Sequence, residues 1–444
     1  MNKEFHKKQN FFSFSDIDSE RKDRIMKFTS TEATPAPHVP PGVLRLTGAA
    51  KEDIPMYRIQ TMNKISPVGL NRFPSELYEV GDAVQDPQGI LVRSAKLLDL
   101  EFNPSLLAIA RAGVGVNNIP LDRCAAAGIP VFSTPGANAN AVKELVICAM
   151  LMGSRDIPGA IRWVREQAAS GVDVSTVVEK GKSAFIGPEL YKKTLGIIGL
   201  GAIGSIVANT AISLGMDVYG YDPFLSVDTA LRLDRHVHVV KDINDLYKRS
   251  DYITMHIHYT EKTAHMIDAS AIAAMKRGVR VINLARGEIV DDEAMLTALD
   301  TGMVAAYITD FPNNRLLTAP HVIAMPHLGA STPESEQNCA AMAVDALRDY
   351  LESGNIRSSV NLPEMTMDRS GVQRLCVLHK NVPGMLANIT SLFGRDGVNV
   401  ENLSNKSRGD YAYTMVDLGS KVGDNVIEDV RRTANVIRVR SLKW

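Results

Sequence analysis

The stretch Thr194 to Asp222, TLGIIGLGAIGSIVANTAISLGMDVYGYD, leaves the chain little choice of local fold. Its apolar run Leu195 to Ile198 reads as a strand buried in a parallel sheet, and Gly199, Gly201 and Gly204 follow at the G-x-G-x-x-G spacing that opens a helix. The first glycine permits a tight turn, the second lets backbone approach a pyrophosphate, and the third lets helix pack close on strand. The unpaired N–H groups of that helix, with Ala202 and Ile203 in its first turn, then meet the phosphates at the positive end of the helix dipole. A second strand from Asp217 ends at Tyr221 and Asp222, where an acid reaches ribose hydroxyls and favours NAD over NADP. Strand, glycine turn, helix, strand and terminal acid in this order predict a doubly wound α/β domain that binds NAD.

A chain of 444 residues has room for roughly two or three such domains. Its 49 Lys and Arg balance 50 Asp and Glu, so no long-range field invites nucleic acid or a membrane surface, and small molecules are the expected ligands. Apolar residues make up 45%, yet no window of about 18 residues lacks polar interruption, so no membrane span is expected. The four cysteines, Cys124, Cys148, Cys339 and Cys376, form no C-x-x-C pair. That usage suits free thiols in a reducing, cytoplasmic setting and argues against a metal site.

Residues 1–55 carry mixed charge and then the Pro- and Thr-rich TSTEATPAPHVPPG, which predicts a disordered or irregular extension, an inert leader ahead of the fold. From Met56, the strands MYRIQT, Gly89 to Lys96, Leu107 to Ala110 and GIPVFSTP alternate with helical stretches such as Leu121 to Ala127. This second open parallel sheet lacks a phosphate fingerprint, so residues 56–145, with 333–360 returning to them, read as a substrate domain. At Asn138 the pattern turns helical, and Asn140 can cap AVKELVICAMLMGSR, which crosses into the nucleotide domain, 146–332. Asn140 and Glu144 are open to two readings, cleft polar groups or a cap and a surface acid.

Within the nucleotide domain a strand from Arg280 to Leu284 delivers Ala285, Arg286 and Gly287 to a loop, and another from Ala305 to Thr309 brings Asp310. An apolar strand before PHLGAST brings His327. Ligands bind beyond the carboxyl ends of such strands, and an arginine paired with a histidine there points to catalysis. The helix Pro333 to Ser353 returns the chain to the first domain, and a Ser-, Asn- and Gly-rich stretch, 361–371, reads as a linker. Residues 372–444 follow the ferredoxin-like βαββαβ order. That module has a thin core, which predicts pairing with a copy of itself, and Arg431, Arg432, Arg438, Arg440 and Lys443 read as its solvated face.

The motifs RAGVGVNNI, TPGANANAVKELV, GLGAIG, NLARGEIV, PHLGAST, HKNVPGML and GVNVENL together resemble the D-2-hydroxyacid dehydrogenase superfamily. Within it, the chain is similar from Met56 to Leu442 to the short-form D-3-phosphoglycerate dehydrogenase family, which carries one C-terminal ACT domain. The resemblance implies NAD-dependent oxidation of 3-phospho-D-glycerate to 3-phosphohydroxypyruvate, the entry to L-serine synthesis. It implies that His327 is the general base and that Arg286 holds the substrate carboxylate and the developing carbonyl oxygen. Ala285 and Asp310 would contact the cofactor. Arg93, with Ser94 and Lys96, would bind the substrate phosphate, while Gly113, Val114, Gly115 and Asn138 would face the rest of the substrate. In the ACT unit His379, Asn381 and Asn399 match positions that bind an amino-acid effector, usually L-serine, between paired domains. A homodimer or homotetramer under allosteric feedback is thereby implied, or else an ACT unit used only for assembly.

Two departures stand out. The family has an acid five residues after the Asp310 position, pairing with the histidine, where this chain reads DFPNNRLL and places Arg315. In MHIHYT, His258 stands where the family commonly has proline, and neither it nor His256 is given a role. Other readings are a different D-2-hydroxyacid dehydrogenase acting on glyoxylate or hydroxypyruvate, and an NAD-binding regulator without chemistry.

Overall fold

The computed structural model describes residues 56–444, and the extension expected over 1–55 lies outside the described residues. The first sheet is built from β1 (Tyr57–Met62), β2 (Tyr78–Gly81), β3 (Gly89–Val92), β4 (Ala108–Arg111) and β5 (Val131–Phe132). All are parallel, in the order β2-β1-β3-β4-β5. β3 is buried along its whole length, as an unbroken apolar run must be in a sheet covered on both faces.

The cover on one face is the helix Pro333–Ser353. Thr332 caps it by accepting from the Ser335 N–H, Pro333 starts it, and Gly354, at φ 76°, ends it in the left-handed region. Ala340, Ala343, Val344, Leu347, Tyr350 and Leu351 recur at helical spacing and share one core with Ile59, Leu91, Ala108 and Phe132.

The second sheet holds β6 (Thr194–Ile198), β7 (Asp217–Tyr221), β8 (Val237–Val240), β9 (Tyr252–Met255), β10 (Val279–Asn283), β11 (Val304–Thr309) and β12 (Val322–Ala324). Its order, β12-β11-β10-β9-β6-β7-β8, reverses direction between β6 and β9. That reversal opens a crevice beyond the strand ends in which a dinucleotide sits.

The helix Ala139–Arg155 carries the chain from the first sheet to this one. Asn140 does not cap it: the N-cap is Asn138, following the Gly136 turn at φ 85°, and Asn140 instead bonds Glu144 one turn on. Val142, Val146, Ala149 and Met150 pack in the second sheet's core, so the crossing precedes Val142, earlier than the expected boundary after residue 145. Two further helices, Ile157–Ala169 and Val174–Gly181, and the strands β2 and β8 were not evident in the sequence.

The C-terminal module contains β13 (Gln373–Lys380), β14 (Val400–Arg408), β15 (Tyr411–Leu418) and β16 (Val436–Lys443), antiparallel in the order β14-β15-β13-β16. The helices Met385–Arg395 and Asp424–Arg432 pack on one face, which completes the βαββαβ plan. From the other face Cys376, Leu378, Tyr413, Met415 and Leu442 enter the core of the first domain.

This docking overturns two expectations. The 361–371 stretch is not a loose tether, because Leu362, Met365 and Met367 are buried in the same core, each such side chain contributing about 1.5–3 kcal/mol. Nor are all the basic residues solvated. Arg440 donates to the carbonyls of Tyr350 (2.9 Å) and Leu351 (2.8 Å), and Arg438 to that of Leu106. Tyr413 donates to Gly354 (2.7 Å), and the fully buried Arg374 grips Asp417 through two bonds of 2.6 and 2.7 Å and Ser353 through a third of 2.8 Å. A thin sheet cannot bury both faces alone, so its second face takes up the open carbonyls at the end of the Pro333–Ser353 helix.

Candidate active site

A cleft of about 780 Å³ lies between the first two sheets, lined by residues at the carboxyl ends of β1, β3, β4, β6, β9, β10 and β11. On the nucleotide side Gly199 turns at φ 91°, and a side chain at Gly204 would collide with the Gly199 carbonyl, so both glycines are needed for strand and helix to close up. Gly201 differs: a side chain there would meet nothing within 4 Å, and it caps the Ala202–Ser213 helix with no side-chain bond. Open space and free backbone N–H groups therefore meet at Gly201, Ala202 and Ile203, a fit for a pyrophosphate. Asp222, at the end of β7, accepts from the Leu200 and Phe224 N–H groups, each at 2.9 Å, which fixes its carboxylate beside the glycine turn.

Asp310 follows β11 and is almost fully buried. Its Oδ2 accepts from the Gly329 N–H at 3.1 Å, while its Oδ1 is buried with no partner among the described residues. Burial pushes its carboxyl pKa up, and the Gly329 N–H and the nearby His327 oppose that. A buried acceptor in want of a donor fits the carboxamide of a nicotinamide. Ala285 lies just past β10 on the cleft wall, its N–H held by Asn283 at 3.2 Å.

Arg286 and His327 both line the cleft, and Phe311 lies near both. The Phe311 ring lies 4.7 Å from the His327 ring and 6.0 Å from the Arg286 guanidinium. Arg315 pairs with Glu293, both exposed, so the position where the family has its acid brings no carboxylate to His327. His256 is half-buried on the cleft wall, 3.2 Å from the Thr254 hydroxyl, and desolvation pushes its pKa down to about 3, keeping it neutral.

On the substrate side Arg93, Gly113, Val114, Gly115 and Asn138 line the cleft. The buried Oδ1 of Asn138 has no partner among the described residues. Ser94 and Lys96 do not line it: Asn63, at φ 87°, accepts from the N–H groups of Ser94 and Ala95 and turns the loop away after Arg93.

The structure adds Lys64 and Arg111, which sequence reasoning passed over. A Cβ at Gly115 would lie 3.3 Å from an Arg286 guanidinium nitrogen and 3.7 Å from one of Arg111, so the two cations flank that glycine. Burial lowers the Arg111 pKa, and the positive charges of Arg286 and Arg93 lower it further. Both residues sit just past strand ends, Lys64 after β1 and Arg111 closing β4, which is the signal that could have found them.

The three expected effector residues do not meet within one chain. His379 is buried, its Nδ1 donating to the Lys380 carbonyl at 2.8 Å and its Nε2 2.9 Å from the Thr414 hydroxyl. Asn381 follows Lys380, which pairs with Tyr411, whereas Asn399 precedes Val400, which pairs with Leu418 at the other end of β15.

Among the described residues no three His, Cys, Asp or Glu side chains are placed to hold a metal ion, and no helix is long and apolar enough to cross a membrane.

Residues 147–329 match the family model of the D-isomer specific 2-hydroxyacid dehydrogenase NAD binding domain, and NAD is the cofactor that the residues around Gly201 fit. The D-3-phosphoglycerate dehydrogenase of Haemophilus influenzae is 31% identical over 379 residues, covering 82% of this chain and 88% of that one. That of Synechocystis is 36% identical over 326 residues, 71% of this chain, and the match spans a little over half, 56%, of the relative's length. Among solved structures, NAD-bound 3-phosphoglycerate dehydrogenase of Entamoeba histolytica is 26% identical with a TM-score of 0.54, over 69% of this chain and 99% of that one. The chain belongs to the D-3-phosphoglycerate dehydrogenase family of NAD-dependent D-2-hydroxyacid dehydrogenases.

Proposed function

We propose that the protein oxidises 3-phospho-D-glycerate to 3-phosphohydroxypyruvate with NAD, opening L-serine synthesis. One observation carries the substrate: Arg93, Arg111, Arg286 and Lys64 share a cleft with His327, and among the described residues Arg111 and Arg286 bond only to carbonyl oxygens. Unpaired, half-buried guanidinium groups call for an anionic ligand, and several of them for one of multiple charge. In this reading Arg93 takes the phosphoryl group, and Arg286 with the Gly113–Gly115 backbone takes the carboxylate. His327 removes the C2 hydroxyl proton, and Arg286 stabilises the oxygen as it becomes a carbonyl. NAD, when bound, supplies the acceptor for the hydride that leaves C2. Asn138, Ala285 and Asp310 hold substrate and cofactor in register.

We assign His379, Asn381 and Asn399 to an L-serine site completed by a second copy, which the separation of Asn381 and Asn399 along the sheet supports. Homodimers or homotetramers are the corresponding assemblies. The free cysteines suit a reducing, cytoplasmic setting.

The test is NADH formation from 3-phospho-D-glycerate at several pH values, with D-glycerate as the phosphate-free control and with L-serine added. Turnover that prefers the phosphorylated acid and falls with serine supports all three parts. Equal turnover of both acids would point to another D-2-hydroxyacid dehydrogenase, and tight NADH binding with no turnover to a non-catalytic protein.

A further inference from the structure

Glu336 sits in the first turn of the Pro333–Ser353 helix, lines the cleft, and places its Oε1 2.6 Å from one terminal nitrogen of Arg93. Arg93 is also tied to the rest of the anion wall, its carbonyl accepting from the Arg111 Nε at 3.0 Å. We propose that the Glu336 carboxylate is a displaceable stand-in for an anionic group of the substrate: it holds Arg93 in place before substrate binds and must give it up when a phosphoryl group arrives. The inference rests on the phosphorylated substrate proposed above.

Three features carry it. The pair is loosely held, with side chains 43% and 45% exposed and only one bond, and ion pairs of this kind are weak. A carboxylate offers guanidinium the same oxygen geometry as a phosphoryl group, so the two compete for the same donors. A carboxylate beside an incoming dianion also repels it, so the substrate meets a like charge at the point where it must bind. The same helix supplies a comparison. Asp345 grips Arg72 through two bonds of 2.7 Å at nearly the same exposure, 46% and 48%, outside the cleft lining.

The experiment is steady-state kinetics on Glu336→Gln, Glu336→Asp and Asp345→Asn. Removing the charge at 336 lowers KM for 3-phospho-D-glycerate by about two- to fivefold with kcat unchanged, the size an exposed pair commands. Neither KM for NAD nor the KM or inhibition constant of D-glycerate follows. Glu336→Asp and Asp345→Asn stay near wild type. A KM that rises or holds still in Glu336→Gln, or an equal fall for D-glycerate, overturns the proposal. If the wild type does not oxidise the phosphorylated acid at all, the activity reading fails by itself. Calorimetric titration of inorganic phosphate into the NADH complex then decides: tighter binding by Glu336→Gln than by wild type supports the stand-in, and equal or weaker binding overturns it.

Discussion

His256 is a base that the fold keeps uncharged. Burial pushes its pKa down from 6.5 to about 3 in the folded chain, while the unfolded chain protonates it near the ordinary value. Between those values the unfolded state binds more protons, so stability present above about pH 6.5 is lost as pH falls towards 3. His256→Asn therefore flattens the acid limb of thermal unfolding followed from about pH 7 to about pH 4. For the chemistry, His327→Asn is expected to lower kcat by about 10²- to 10⁴-fold with NADH binding, read by fluorescence, unchanged. Arg111→Met raises KM for the phosphorylated acid by roughly tenfold, since one of the cations that share the cleft with the substrate is lost. Arg286, His327 and the glycines were legible because each follows an apolar strand or opens a helix in the sequence itself. Lys64 follows a strand too, but it was passed over for Lys96, and Lys96 falls outside the cleft lining because Asn63 turns the loop away after Arg93.

At the scale of elements, the Pro333–Ser353 helix could be read to its last residue, because Thr332 and Pro333 are local start signals and Gly354 a local stop signal that owe nothing to the rest of the fold. The neighbouring case failed: Asn140 has the right chemistry for a cap, but the Gly136 turn starts the helix two residues before it. β2 and β8 escaped notice as short strands of mixed burial, with neither a buried run nor a clean alternation. Leu362, Met365 and Met367 are scattered among polar residues at no regular period, so the packed 361–371 stretch looks like a tether. Its anchor is the Arg374–Asp417 pair, buried on both sides. Asp417→Asn leaves that guanidinium uncompensated and costs about 3–5 kcal/mol, whereas Tyr413→Phe, losing one bond to Gly354, costs about 1 kcal/mol. Denaturant unfolding with an unchanged m-value checks both.

Over the whole molecule, the three-sheet plan followed from the alternation of strands and helices, but the exposed apolar surface did not. Ile161, Val164, Val178 and Ile186, 50%, 39%, 37% and 83% exposed, lie on or just beyond the Ile157–Ala169 and Val174–Gly181 helices. Such a run of uncovered apolar side chains suits an interface between copies, and Ile161→Glu with Val164→Glu is expected to lower the sedimenting mass with no loss of helix signal. The buried 361–371 stretch predicts a second outcome, resistance to brief proteolysis where a tether would be nicked. It also reduces the moving parts. With the C-terminal sheet fastened to the end of the Pro333–Ser353 helix, it and the first sheet share one core, and the chain passes between the first and second sheets near residues 133–138 and 328–332. Any displacement of the first sheet against the second would therefore carry the C-terminal sheet with it.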